Sequence, residues 1–215
     1  MAAGYALEHR LFQGDPSLSL AGMDEAGRGP IAGPLAVGVF TYTPTMEGLA
    51  LDDSKKLTPG QRLKAHKLLV GLNSLWAVGF ALASEIDTLG VSKAFRLAAR
   101  RALDALSCLP SILLVDGTLD PRPGTPCILL PKGDALSGTI AAASILAKTM
   151  RDRLMEKLDA RYPAYGFAAN KGYPTCHHVE RVRMFGPCPE HRVSFAPLKH
   201  HERQACRAAR QGVPA

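Results

Sequence analysis

Between Gly22 and Pro30 the chain reads GMDEAGRGP, which sets two adjacent carboxylates, Asp24 and Glu25, beside a Gly27-Arg28-Gly29 turn. Neighbouring carboxylates repel each other, which raises a pKa or recruits a cation, and a divalent metal relieves the repulsion most directly. Glycines let backbone N–H groups approach a ligand closely, and an arginine offers a planar fork to phosphate oxygens. A metal and a phosphodiester are therefore suggested together. Two further acids, Asp116 and Asp134, each follow an expected strand or its flanking turn, so a folded sheet could bring all four to one edge. Four carboxylates with few soft ligands suit Mg²⁺ or Mn²⁺, and a pair of such ions can hold the attacking and leaving oxygens of a phosphoryl displacement. Taken singly, an acid at a strand end is more often a turn former or a helix cap, and Asp120 and Asp152 are read that way.

The elements that must position these groups follow from pattern. Leu18 to Asp24 and Leu35 to Thr43 are short apolar segments around a Gly and Pro turn, and predict a hairpin with the acidic pair at a strand's end. Thr58-Pro59-Gly60-Gln61 has the form of a capping box with proline at the first helical position, opening a helix to about Leu72. Leu75 to Ala83 reads as a third strand. Ser92 to Leu106 reads as an amphipathic helix, with Phe95, Leu97, Ala98, Ala102, Leu103 and Leu106 apolar. Ile112 to Val115 is a short apolar run ending in Asp116-Gly117, as in a central strand whose end opens onto a site. A last strand, Cys127 to Pro131, ends near Lys132-Gly133-Asp134, and Ser137 could cap a long helix to about Arg161. Strands alternating with helices imply an α/β sheet with helices on its faces. Beyond Tyr162-Pro163 the composition turns to Gly, Pro, His and Arg. The chain is thus divided into residues 1–162, a catalytic domain, and 163–215, a helical segment with a basic tail.

Bulk properties narrow the partners. Across 215 residues, 26 Lys and Arg stand against 19 Asp and Glu, a net charge of +7 that suits a polyanion without establishing one. The basic residues cluster at Lys55 and Lys56, at Arg151 and Arg153, and from Lys199 to Arg210. Five cysteines form an odd set with no CxxC pair, which argues against a disulfide framework and for a reducing compartment. The N-terminus carries charges and a proline where a signal peptide needs an apolar core, and no apolar run approaches spanning length, so a soluble cytoplasmic protein without a membrane role is expected. Cys176, His178, Cys188 and His191 are zinc ligands by type, but gaps of one, nine and two residues do not match paired ligands. They are read as free thiols and surface histidines. Arg28 alone could be an exposed turn residue, and Tyr173 in NKGYPT either a packing aromatic or a ring presented to a sugar or base.

Taken together, GMDEAGRGPIAGP, DDSKKL, LLVDG, KGD, IAAASILAKTMRD, YGFAANKGYPT and HRVSFAP resemble the motifs of bacterial ribonuclease HII, in that family's order, over residues 19 to 198. The resemblance implies a ribonuclease-H-like fold, a mixed β-sheet flanked by helices, with a small C-terminal helical segment that helps to grip substrate. It implies that Asp24, Glu25, Asp116 and Asp134 are the metal-binding and catalytic acids. It also implies that Gly27, Arg28 and Gly29 contact the ribonucleotide 2′-hydroxyl and its flanking phosphates, and that Tyr173 senses the RNA-to-DNA junction. Lys55, Lys148, Lys171 and Arg192 are then the candidate phosphate contacts. The implied activity is endonucleolytic cleavage on the 5′ side of a ribonucleotide in RNA/DNA hybrids or embedded in duplex DNA, in ribonucleotide excision repair and primer removal; a monomer is the plain expectation, which the resemblance does not itself supply. The rivals are a non-catalytic nucleic-acid-binding module, which would be marked by loss of one acid when none of the four is missing, and a metal-dependent exonuclease or recombinase on a related sheet, which gives no reason for GRG and KGYPT together. The tail after Lys199 reads as a frayed basic end.

Overall fold

A computed structural model of the chain describes residues 4–14, 17–49, 51, 57–72, 74–122, 124–196 and 198. Helix α1 (Ala6–Gly14) leads into strands β1 (Leu20–Ala26) and β2 (Leu35–Thr41), then helix α2 (Pro59–Val70) and strand β3 (Trp76–Ala81). Helices α3 (Ala83–Leu89) and α4 (Val91–Asp104) precede strands β4 (Ile112–Asp116) and β5 (Cys127–Leu130). The long helix α5 (Gly138–Arg161), a short turn α6 (Phe167–Asn170) and α7 (Cys176–Phe185) complete the described elements. The sheet order is β3-β2-β1-β4-β5, with β1, β2 and β3 antiparallel and β4 and β5 parallel to β1 and to each other. This is the mixed, helix-flanked sheet that the motifs imply.

Alternation along the strands assigns the two faces. Ala21 and Met23 of β1, Val37 and Val39 of β2 and Leu113 and Val115 of β4 pack with Phe95, Ala98 and Ala102 of α4. The opposite face lies under α5, whose small residues Ala141, Ala142 and Ala143 form a second cluster with Phe40 and Leu69. Contact there is close enough to require glycine: a Cβ on Gly22 would come 2.4 Å from the Thr139 carbonyl carbon, and one on Gly38 would come 2.3 Å from the Ala143 oxygen. With helices on both faces, all seven residues of β2 are buried. Each large apolar side chain so buried contributes about 1.5–3 kcal/mol.

The ends of the helices follow the local signals. Thr58 forms the full capping box of α2 with Gln61, and the Ser137 hydroxyl accepts from the Ile140 amide at 3.1 Å to open α5. Two helices arise without a sequence forecast. In α1, Leu7, Leu11 and Phe12 pack against Leu20, Leu114 and Ile140. In α3, the chain leaves β3 at Ala81, two residues before the expected end of that strand, and coils at once. No helix among the described residues is long and apolar enough to cross a membrane.

Beyond residue 162 the chain folds back onto the sheet. Tyr165, Phe167, Val182 and Leu198 share a cluster with Ile31 and Ala32 of the β1–β2 loop and with Met155 and Leu158 of α5. The basic tail from Lys199 and the Lys55-Lys56 pair lie outside the described residues.

Candidate active site

Parallel pairing sets Met23 of β1 opposite Val115 of β4, so the next residue on each strand, Asp24 and Asp116, emerges on the α5 face at the same sheet edge. Asp24 is 3% exposed. Its Oδ1 accepts from the Glu25 amide at 2.7 Å, while Oδ2 is buried without a hydrogen-bond partner. Burial, and then the negative charge of Glu25, pushes the Asp24 carboxyl well above the usual range; Asp116 adds to the push, and the Ser144 hydroxyl and Glu25 amide oppose it. An orphaned carboxylate oxygen facing two further acids is a site whose missing element is positive charge, and its all-oxygen character fits a hard divalent cation.

Asp134 arrives by a different route. Asp116 Oδ1 accepts from the Gly133 amide at 2.7 Å, which ties the end of β4 to the turn carrying Asp134. That turn abuts the start of α5, where the buried Glu8 of α1 accepts from Ser137 Oγ at 2.6 Å, Thr139 Oγ at 2.8 Å and the Thr139 amide at 3.1 Å. Asp24, Glu25 and Asp116 border one cleft; Asp134, 6% exposed and carried by the turn tied to Asp116, is not among the residues that line it. Among the described residues no group of three or more His, Cys, Asp or Glu side chains stands assembled to hold a metal ion.

The same cleft is lined by the Gly27-Arg28-Gly29 turn, by Tyr173, and by Ser144 and Lys148 of α5. Gly27 has φ of +90°, and a Cβ there would meet Arg151 Nε at 2.0 Å, so glycine is required on both counts. Arg28 points outward, 3.5 Å from Glu25, with 55% of its side chain exposed. The turn rests on two fully buried arginines. Arg192 donates from Nη2 to the carbonyls of Gly27 at 2.7 Å and Gly33 at 2.8 Å, from Nε to Gly33 at 2.9 Å and from Nη1 to Arg28 at 3.2 Å. Arg151 donates to the carbonyls of Pro34, Lys171 and Ala32 at 2.8, 2.9 and 3.1 Å. Burial, and then the charge of Arg151, brings Arg192 down to about 9, still protonated near neutral pH. Because each peptide plane carries N–H opposite C=O, carbonyls of Gly27 and Arg28 drawn inward turn the Arg28 and Gly29 amides outward. The expectation that Arg192 contacts phosphate is thereby corrected: at 0% exposure it holds the turn from behind.

Tyr173 is 45% exposed, so its ring is presented rather than packed. Its loop is anchored through Gly172, whose carbonyl accepts from the Ile31 amide at 2.9 Å. Lys148 and Lys171 are each held by an acid, Asp152 at 2.6 Å and Glu156 at 2.7 Å. Lys55 is outside the described residues. Asp152 is no cap: it sits within α5 and takes both Lys148 and, at 3.4 Å, Arg62. A second correction concerns the histidines, since His178 and His191 are buried at 0% and 2% exposure, while Cys176 and Cys188 are free thiols. Sequence reasoning passed over Ser144, Arg151 and Glu8. The first was within reach: Ser144, Lys148 and Asp152 recur every fourth residue of α5, the spacing of one helix face.

Comparison with known proteins bears on this site. The family model described as Ribonuclease HII matches residues 21–198. The Ribonuclease HII of Moorella thermoacetica is 46% identical over 191 residues, 89% of this chain and 92% of that protein, and that of Bordetella avium is 44% identical over 184 residues, covering 86% and 91%. Among solved structures, the ribonuclease H2 from Pyrococcus horikoshii superposes with a TM-score of 0.75 at 31% identity, covering 87% of this chain and 98% of that one.

Proposed function

The chain belongs to the ribonuclease HII family and is a hydrolytic ribonuclease H; from that premise we propose that it is an endonuclease cutting the phosphodiester on the 5′ side of a ribonucleotide, in RNA/DNA hybrids or embedded in duplex DNA. Water attacks phosphorus, the bond to the preceding nucleotide's 3′ oxygen breaks, that oxygen takes up a proton, and the products carry 3′-hydroxyl and 5′-phosphate ends. The observation that carries this reading is one cleft lined both by Asp24, Glu25 and Asp116 and by the Gly27-Arg28-Gly29 turn and Tyr173. Acids without a reader would suit any metal nuclease; the two together suit a nuclease that inspects a sugar.

Asp24, Glu25, Asp116 and Asp134 are the residues that would hold Mg²⁺ or Mn²⁺. Bound there, the cation supplies Lewis acidity that lowers the pKa of attacking water and offsets charge on the departing oxygen. The chain's own groups do the rest. The outward amides of Arg28 and Gly29 are suited to the 2′-hydroxyl, which accepts as well as donates and is what marks RNA at a single nucleotide. The Arg28 guanidinium, free to swing from its long contact with Glu25, is suited to a flanking phosphate. The ring of Tyr173 can stack on the following sugar while its hydroxyl bonds to the ribose. Lys148 borders the same cleft, and exchange of its Asp152 partner for a phosphate would place a second cation there. In this reading residues 1–162 supply the acids and the turn, 163–215 supply Tyr173 and the support behind the turn, and a monomer is sufficient. Removal of misincorporated ribonucleotides and of RNA primers is the corresponding cellular role.

The test is cleavage of a labelled DNA duplex containing one ribonucleotide, with Mg²⁺, with Mn²⁺ and with chelator, beside an all-DNA control. A single metal-dependent cut on the 5′ side is expected. Binding without cutting by folded, metal-supplemented protein would refute the reading, and ladders from an end would point to an exonuclease.

A further inference from the structure

His178 and His191 lie in the small core beneath the Tyr173 loop, walled by aromatic rings: Phe167 meets the His178 ring edge-on at 5.4 Å, and Tyr165 meets that of His191 at 4.8 Å. Each imidazole nitrogen has a partner. The Cys188 amide donates to His191 Nδ1 at 3.0 Å, the two Nε2 atoms are 3.0 Å apart, and His178 Nδ1 is 2.8 Å from the Tyr173 carbonyl oxygen. Both ends of this chain have fixed roles, since an amide only donates and a carbonyl only accepts. The interior follows by elimination. His191 Nδ1 must be bare, so its proton is on Nε2; that proton points at His178 Nε2, which must be bare; and His178 carries its proton on Nδ1, toward Tyr173.

We propose that His178 and His191 are positioning residues for Tyr173, a pair of neutral imidazoles of defined tautomer that fixes the Tyr173 carbonyl relative to the segment supporting the Gly27-Arg28-Gly29 turn. His191 and Arg192 are consecutive. Arg192 reaches forward to the carbonyls of Gly27 and Arg28, and His191, through His178, reaches the carbonyl of Tyr173. The backbone between them is pinned to the β1–β2 loop, with Glu190 accepting from the Gly33 amide at 2.8 Å and the Arg192 amide donating to Ile31 at 2.7 Å. One short segment thus sets both halves of the substrate reader in register. Burial lowers both histidines below the usual range, His191 to about 4, in accord with neutral rings. The other titratable groups facing the pair are Tyr165, His177 and Cys188.

The proposal rests on the reading of Tyr173 as a junction sensor, so its test separates the two. Long-range ¹H–¹⁵N correlation on the intact protein near neutral pH should report His191 as the Nε2–H tautomer and His178 as the Nδ1–H tautomer; the opposite tautomers, or charged rings, would overturn the proposal. His191→Phe, which keeps an aromatic ring at some gain in volume but ends the relay, should shift the Tyr173 carbonyl ¹³C resonance, and an unmoved resonance would overturn it. In cleavage assays, His178→Phe should reduce the preference for a single embedded ribonucleotide over a uniform hybrid by about three- to tenfold, the worth of one buried hydrogen bond. His178→Asn, whose amide nitrogen can occupy the Nδ1 position, should recover part of it. If His178→Phe does not fold, the tautomers and the His178→Asn preference still decide. Should Tyr173→Phe and Tyr173→Ala leave the preference untouched while the Tyr173 carbonyl responds to His191→Phe, the relay stands and the sensor reading falls.

Discussion

Replacing Asp24 by asparagine should separate what the acid does for the reaction from what it does to the fold. The wild-type carboxylate is 3% exposed, has one oxygen with no hydrogen-bond partner and faces the charges of Glu25 and Asp116. Burying an unsatisfied polar group disfavours the folded state by about 1–3 kcal/mol, and more when it is charged. Asparagine has the same outline, keeps an oxygen for the Glu25 amide and turns the orphaned acceptor into a donor aimed among carboxylates. In chelator, Asp24→Asn should therefore be more stable than wild type by about 1–3 kcal/mol, a rise in Tm of roughly 2–12 °C for a chain of this size. Turnover on a single-ribonucleotide duplex should fall to about 1% or less, the exchange of stability against activity expected of a strained site. Calorimetry with and without Mn²⁺ completes the assay. The ion should raise the Tm of wild type, by up to about 2.7 kcal/mol of stabilisation at a hundred times its Kd, and that of the variant much less. A variant that melts below wild type in chelator would show the carboxylate to be a structural residue and the argument from crowding to be wrong.

Arg192→Met should lower stability by about 3–5 kcal/mol in urea unfolding, because it strands the carbonyls of Gly27, Arg28 and Gly33, whereas Arg28→Ala should change stability by less than about 0.5 kcal/mol yet reduce the salt slope of substrate binding by about one; equal stability losses in the two would refute the division of labour. Below neutral pH the neutral His191 becomes a liability: with its folded value lowered from 6.5 to about 4, the stability it contributes is fully present above pH 6.5 and is lost as pH falls toward 4, up to about 3 kcal/mol. Urea midpoints from pH 7 to 4.5 should fall more steeply for wild type than for His191→Phe, and parallel curves would contradict this. Glu8→Ala removes the acceptor for three donors at the start of α5 and should lower stability by about 2–4 kcal/mol and reduce kcat more than it raises KM, through the adjacent turn bearing Asp134; a selective KM effect would be the contrary result.

What could be read in advance was what is encoded locally. The Thr58 capping box, the Ser137 cap, the β1–β2 hairpin and the placement of Asp116 at the end of β4 all depend on residues within a few positions of each other, although β1 runs two residues past its expected end at Asp24, to Ala26. Arg192 depends on partners 159 to 165 residues away, so nothing near it in sequence distinguishes a buried support from a surface phosphate contact. His178 and His191 failed for the same reason: the spacing test excluded a zinc site, and solvent was the default left over for two rings that in fact satisfy each other. Helix α1 went unseen because nine residues are too few to hold a helix by propensity, and its stability comes from packing of Leu7, Leu11 and Phe12. Asp134 was grouped with Asp116 by strand order; the bond from the Gly133 amide to Asp116 that ties its turn to the end of β4 is one that no pattern of residue types reveals.

The interlocking of the β1–β2 loop with the far end of the chain also bears on how such an enzyme fails. A nuclease with separable cutting and recognition modules could lose the second and keep the first, becoming indiscriminate. Here the amides of Ile31 and Gly33 are satisfied by Gly172 and Glu190, and the carbonyls of Gly27 and Arg28 by Arg192. Unravelling or proteolysis beyond residue 162 therefore leaves a loop full of unsatisfied backbone groups at the edge of the acidic cleft. The compositional seam at that point is not a mechanical joint: on the proposed roles, damage to the part that discriminates would also loosen the loop beside the part that cuts.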